Sequence, residues 1–303
     1  MSNQSPVLSA AKEKMRKKDI CRVRKAEYGG LNTVQKFKGV ANTLFVPLVA
    51  RINVSKRFPE YFIDQKALEL EAFLPEDAGK GSFEYSDITS AARYFNMDKI
   101  VSAFAEKQSL CNLVYLGAGL ETAYDRLSNR FPSANWYQVD LPEVIEARRI
   151  VFGERENESL IAGDMFGMEW TKEIHSMFPT LIVISGVFHY FHEEKILGFI
   201  KKCADAFPEG EMVFDATSKS GLKFTNWFIR RTGNYDALMY FGIDDSKAFT
   251  DNCGVKLLEE WTFFPDALQM LGRKLGFVTK LFMKVSEKKK RLLILHLKLK
   301  QLN

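Results

Sequence analysis

Asn112-Leu-Val-Tyr-Leu-Gly-Ala-Gly-Leu-Glu-Thr122 places a short strand-forming run directly ahead of a glycine-rich turn and a helical segment. In that order the residues read as the opening βα unit of an open α/β sheet. Gly117 and Gly119, with Ala118 between them, let the backbone come close to a bound nucleoside. The third glycine of a dinucleotide fingerprint is missing, because Thr122 stands in its place. The turn therefore suits a nucleoside with a tail smaller than a pyrophosphate. Taken alone, an ordinary strand-to-helix turn reads the same way.

Working outward, short β-rich runs alternate with segments of helical period, the pattern of βαβ units around a mainly parallel sheet. Further strands are expected at 136–139, 160–162, 181–185 and 212–216, and helices at 122–130, 142–152 and 193–207. The apolar run at 181–185 predicts a central strand covered on both faces. The alternating run 291–298, after the charged stretch 287–290, predicts an edge strand. The segment 276–285 satisfies both helical and strand periods. Residues 1–111 show no strand-helix alternation and predict a helical cap on a catalytic domain spanning 112–303. The long aromatic and charged segment 218–251 predicts a helical insertion or lid.

Two acidic residues repeat the theme of the glycine turn. Asp140, followed by Leu141, ends the next strand, where a carboxylate accepts ribose hydroxyls. The competing reading is a cap for the helix that Pro142 opens. Asp164 follows the third strand in a Gly-Asp turn, where it either accepts from an adenine amino group, with Met165 and Phe166 walling the ring, or simply forms the turn. The ordered succession at strand ends carries more weight than any single residue.

The 303 residues, 46% of them hydrophobic, are enough for a large core. The longest apolar stretch, 181–188, is too short for a bilayer, and the chain opens on a polar segment without a signal-type apolar core. A soluble cytoplasmic protein is expected, with neither membrane nor nucleic acid as partner. The net charge of +5 gathers near the N-terminus, at Lys12, Lys14, Arg16, Lys17, Lys18, Arg22, Arg24 and Lys25. It reads as a solvated basic helix or as a contact for an acidic partner. Cys21, Cys111, Cys203 and Cys253 lack metal-ligand spacing, so reduced structural thiols and no metal are expected.

The chain resembles the leucine carboxyl methyltransferase family, in particular its bacterial polyketide-type, tetracenomycin-like O-methyltransferase branch, over roughly residues 40 to 300. The stretches that carry the likeness are Thr43-Leu-Phe-Val-Pro-Leu-Val-Ala-Arg51, Ala91-Ala-Arg-Tyr-Phe-Asn-Met-Asp98, Leu116-Gly-Ala-Gly-Leu-Glu-Thr122, Val139-Asp-Leu-Pro-Glu-Val144 and Ser185-Gly-Val-Phe-His-Tyr190. The resemblance implies a doubly wound, Rossmann-like, seven-stranded class I methyltransferase fold with S-adenosylmethionine as donor. It implies that Arg93 holds the methionine carboxylate, Asp140 the ribose and Asp164 the adenine. The sequence departs from the family pattern at Glu121 (usually Asp), Ala123 (usually Arg) and Ser185 (usually Glu). Ser185 retains a hydroxyl for the amino end of the cofactor.

Methyl transfer from a sulfonium is an in-line displacement, so alignment and water exclusion dominate the protein's task. A carboxylate acceptor needs no base, whereas a hydroxyl gains from one. His189 is the candidate base, with Tyr190 beside it; the alternative is a histidine that packs or caps. Trp227, Arg230, Arg231, Asn234 and Tyr240 in the expected lid would suit a flat, oxygen-rich acceptor. Three readings follow: an O-methyltransferase acting on a small-molecule carboxylate or hydroxyl, a protein C-terminal carboxyl methyltransferase, and a non-catalytic cofactor-binding scaffold.

Overall fold

The computed structural model of the protein describes residues 44–74, 82–232 and 238–299. The basic run 12–25, Cys21 and Asn234 lie outside them. Seven strands form one sheet: β1 (Asn112–Leu116), β2 (Asn135–Asp140), β3 (Glu158–Ala162), β4 (Thr180–Ile184), β5 (Glu211–Thr217), β6 (Lys256–Thr262) and β7 (Leu292–Lys298). Their order is β3-β2-β1-β4-β5-β7-β6. The first five pair in parallel, and β7 runs antiparallel to both β5 and β6. β1 and β4 are buried at every residue, as befits central strands covered on both faces. The chain leaves β1 toward β2 on one side and later returns to β4 on the other, so a crevice opens at their carboxyl ends.

Helices α1 (Phe45–Arg57), α2 (Gln65–Leu70) and α3 (Glu84–Ala105) precede the sheet; α4 (Ala123–Leu127), α5 (Pro142–Phe152), α6 (Glu193–Ala206), α7 (Lys219–Thr232), α8 (Ser246–Cys253), α9 (Pro265–Leu271) and α10 (Phe277–Lys288) follow. α5 begins on a proline and ends at Gly153, whose φ of 72° stops the helix. α6 buries Ile196, Phe199, Ile200 and Cys203, the spacing of one helical face. That face packs with Val114, Ile182 and Phe214 on one side of the sheet. On the other side Ile88, Ala92, Met97 and Ile100 of α3 pack with Leu113, Trp136 and Leu181. The helices before residue 112 thus supply one covering layer of the sheet's own core.

The structure departs from the sequence reading in three places. The run 291–298 is an interior strand: β7 lies between β5 and β6, and β6 takes the edge. β6 escaped the reading because the pairing shifts at Leu257/Glu259, and such an irregularity breaks the two-residue period. The ambiguous 276–285 stretch is helical, its first N–H groups relieved by Glu84, whose Oε1 accepts from Gly276 N at 2.8 Å. Of the expected lid, α8 is part of the core, burying Phe249 and Cys253. Cys111, Cys203 and Cys253 are buried free thiols. Burial pushes the Cys111 thiol up to about 11 and that of Cys253 to about 12, so neither is a nucleophile at neutral pH.

A buried ionic cluster ties the leading helices to the sheet. Arg51 Nη1 lies 3.1 Å from Asp64 Oδ2. Arg126 reaches Asp64 at 3.2 Å, Asp98 at 2.7 Å and Glu121 at 2.9 Å. Thr122 donates its hydroxyl to Asp64 Oδ2. Burial works to raise the Asp64 and Glu121 carboxyls, but the two guanidiniums outweigh it and hold both below the usual range. Asp98 is different: burial wins there and raises its carboxyl.

Replacing Arg51 with Met should cost about 3–5 kcal/mol in denaturant unfolding, since it strips a buried carboxylate of a partner. The depressed carboxyls stabilise the fold above about pH 4, the unfolded value, and that stabilisation fades as pH falls through their folded values. The loss of stability on acidification should therefore be shallower in R51M than in the parent. A midpoint in denaturant equal to the parent's would assign the cluster no role in stability.

Candidate active site

The turn after β1 is held from three directions. Gly117 N and Ala118 N donate to Val139 O at 2.9 and 3.2 Å. Gly117 and Gly119 have φ of 65° and 49°, the region that favours glycine. A Cβ on Gly117 would lie 2.5 Å from Val187 Cγ2. Two buried arginines take the carbonyls of the turn. Arg51 donates to Leu120 O at 2.7 Å, and Arg148 donates to Gly119 O at 2.9 Å and Glu121 O at 3.0 Å.

Asp140 closes the same turn from β2. Its Oδ2 accepts from Gly119 N and its Oδ1 from Leu141 N, both at 2.7 Å. Burial is the largest influence on this carboxyl and raises it, against the two N–H groups. Asp140 thus organises the turn and steadies Leu141, the N-cap of α5, and each oxygen keeps acceptor capacity. Asp164 accepts from Phe166 N at 3.0 Å, which makes it a turn former with one oxygen to spare.

The opposite wall follows β4. Gly186, with φ of 72°, donates its N–H to Asp215 Oδ1 at 2.6 Å. Asp215 Oδ2 lies 3.3 Å from Arg93 Nη1 and 2.9 Å from His189 Nε2. Burial pushes the Asp215 carboxyl up, but Arg93 and His189 prevail and hold it far below the ordinary range. Ser185 Oγ is buried with no hydrogen-bond partner among the described residues.

These walls enclose a cavity of about 420 Å³, within the size range of small-molecule sites. Of the residues expected to bind a cofactor, Gly117, Ala118, Gly119, Asp140, Leu141, Asp164, Met165 and Ser185 all line it. So does Tyr190, whereas His189 does not: its ring is 6% exposed, turned onto Asp215 beneath the wall. Arg93 is not in the lining either, since Asp215 draws it behind Gly186, where a Cβ would lie 2.8 Å from its Nη1. The arginine that does line the cavity is Arg51, its guanidinium held by Asp64, Thr122 and Leu120 O. From the expected lid, neither Trp227, Arg230 nor Tyr240 lines the cavity; Tyr240 instead packs against His192, ring centroids 4.8 Å apart.

Sequence reading missed Arg51, Arg148 and Asp215 as parts of this site. Arg51 and Asp215 did carry a signal, each being a charged residue within an apolar run, whereas Arg148 shares its helix with Glu143, Glu146 and Arg149 and does not stand out. Ala123, where the family pattern has arginine, is buried. The guanidinium in the adjacent cluster comes from Arg126, three residues further along α4.

Residues 76–218 match the family model described as an O-methyltransferase domain. The tetracenomycin polyketide synthesis O-methyltransferase TcmP of Streptomyces glaucescens is 24% identical over 233 residues, covering 75% of this chain and 84% of that protein. Caffeic acid 3-O-methyltransferase 2 of Populus tremuloides is 29% identical over 117 residues, but these cover 39% of this chain and only 29% of that enzyme. Among solved structures, a DUF574 family protein from Streptomyces avermitilis superposes with a TM-score of 0.56 at 13% identity, covering 84% of this chain and 97% of that one. A Thermobifida fusca protein assigned as a methyltransferase gives 0.54 at 15% identity, covering 88% of this chain and all of that one. At such identities the structures speak for the fold alone, which is the class I methyltransferase fold. With that sheet, a nucleoside-sized cavity at its switch point and an O-methyltransferase domain match, the protein is an S-adenosylmethionine-dependent O-methyltransferase acting on a small molecule.

Proposed function

We propose that S-adenosylmethionine occupies the cavity between the β1 and β4 turns, and that the acceptor is a hydroxyl on a flat, largely apolar molecule. On this reading the protein is a polyketide-type member of the leucine carboxyl methyltransferase group. The supporting observation is convergence: the glycine turn, Asp140, Asp164 and the unpartnered Ser185 hydroxyl all meet in one cavity. Apolar side chains such as Leu44, Pro47, Val187 and Phe191 form much of the remaining wall, with Arg51, Glu121 and Lys195 set among them.

The residues present fit the donor. Asp140 has acceptor capacity for ribose hydroxyls, Met165 and Phe166 offer faces for a purine beside Asp164, and the buried Ser185 hydroxyl is a donor or acceptor awaiting a partner. When bound, the donor supplies an electrophilic methyl group. The chain's own part is to fix the two reactants in line and keep water out. Tyr190 is the phenol of the β4 turn that lines the cavity, and it is assigned to the acceptor side. His189, held on Asp215, is assigned a positioning role: it braces the turn that carries Tyr190, and is not the base first expected. Arg93 is assigned the same role behind Gly186.

Three outcomes follow. Gly117→Ala should weaken S-adenosylhomocysteine binding about tenfold or more, because the new methyl group meets Val187 and the φ is strained. Gly198→Ala, on α6 outside the cavity lining and with nothing within 4 Å of the added atom, should bind like the parent. Titration calorimetry of both variants decides it, and equal affinities would remove the turn from the cofactor site. Asp215→Asn keeps an acceptor for Gly186 N–H but leaves Arg93 buried without its anion. It should lose about 3–5 kcal/mol of stability and lower kcat more than it raises the acceptor KM; an unchanged kcat would make the network structural only. Finally, incubation with labelled S-adenosylmethionine and a panel of phenols and carboxylic acids should give a base-stable ether. A base-labile ester as the sole product would assign the acceptor to carboxylates, and donor binding with no transfer to any acceptor would favour a scaffold.

A further inference from the structure

α10 turns the wrong face to the protein. Its buried residues are Thr279, Met283 and Ser286, whereas Phe277 (77% exposed), Val278 (61%), Leu281 (50%) and Phe282 (41%) face solvent. At 3.6 residues per turn these four occupy one side of the first two turns. A surface helix ordinarily lays its apolar stripe on the core. The inversion is firmly anchored at both ends: Glu84 accepts from Gly276 N at 2.8 Å, and Glu287 accepts from Phe264 N at 2.8 Å. A contiguous apolar patch on a well-packed helix marks an interaction surface.

The surrounding charge selects the occupant. Lys280, Lys284, Lys288 and Lys289 belong to α10 or its cap, Arg273 lies just before it, and none of the five forms an ion pair among the described residues. The nearby carboxylates are engaged: Glu84 with Arg57 and Gly276, Glu287 with Phe264, and Glu60 with Lys274. A second copy paired face to face through this helix would set these cations against their own equivalents. A nucleic acid would leave Val278 and Leu281 unused.

We infer that α10 docks the protein on an anionic phospholipid surface, its apolar face in the acyl boundary and its lysines among the headgroups. The helix lies in the surface and does not cross it, since no described helix is long and apolar enough to span a membrane. This replaces the expectation of a protein without membrane contact and does not depend on the identity of the acceptor.

The test is flotation of the full chain with phosphatidylcholine vesicles that contain or lack phosphatidylserine. The protein should float with the anionic vesicles only, and added salt should release it. Two separate double variants, Phe277→Ser with Leu281→Ser and Lys284→Glu with Lys288→Glu, should each lower partitioning about tenfold or more. Their circular dichroism should match the parent's, because all four side chains are exposed. The inference fails if the parent ignores anionic vesicles, or if both variants float like the parent, which would put the contact elsewhere in the chain. It also fails if the serine variant dissociates a lipid-free dimer in sedimentation, which would give the surface to a second copy.

Discussion

Everything at the carboxyl edge of the sheet depends on the backbone of the β1 turn keeping one shape, and buried guanidiniums impose that shape. A turn built on positive-φ glycines points its carbonyls away from regular partners, and a buried carbonyl needs a donor. Arg51 and Arg148 supply the donors for Gly119, Leu120 and Glu121. Their charges require anions in turn, found in Asp64 for one and Glu158 for the other, whose Oε1 lies 3.3 Å from Arg148. The ionic layer thus begins as a solution to a hydrogen-bonding problem. Its outcome is a turn already in position before any ligand arrives, as transfer by alignment requires.

The two walls of the crevice share a plan. Asp140 on β2 is level with Gly117 beside it and grips the β1 turn through Gly119 N. Asp215 on β5 is level with Ser185 and grips the β4 turn through Gly186 N. In each case a carboxylate from the neighbouring strand fastens a turn that carries a glycine of positive φ. The difference lies in what else the carboxylate holds. Asp140 keeps capacity toward the cavity, whereas Asp215 is consumed by Arg93 and His189. That contrast explains why one acid lines the site and the other stands behind it.

Much of the sheet was legible in the sequence, because β1 to β5 follow the apolar runs and helical periods closely; α5 coincides with its expected span, 142–152. β6 was hidden by a pairing irregularity, and the position of β7 inside the sheet could not be read from its alternating pattern, since strand order is a matter of tertiary pairing. At the site, the turn residues and both acids announced themselves by order along the chain. Asp215 did not, because a charged residue in an apolar segment signals a partner without naming it, and Arg148 was one of four charges on its helix. His189 stands beside Tyr190 on the β4 turn, and what the sequence did not carry is the direction of each side chain: Tyr190 lines the cavity, whereas His189 is turned onto Asp215.

The place of β7 has a consequence for how the chain reaches its final form. β7 follows the other six strands in sequence, yet β6 joins the sheet only through it, and the free edge of β5 is filled only by it. During synthesis the parallel half can assemble around β1 and β4, but β5 must wait with one edge unpaired, and β6 has nothing to join until residues 292–298 emerge. A ribosome that stopped short of them would release a nascent sheet with an open hydrophobic border, the kind of edge that recruits other chains. Closure of this sheet is therefore a single event, governed by the strand that comes last among the seven.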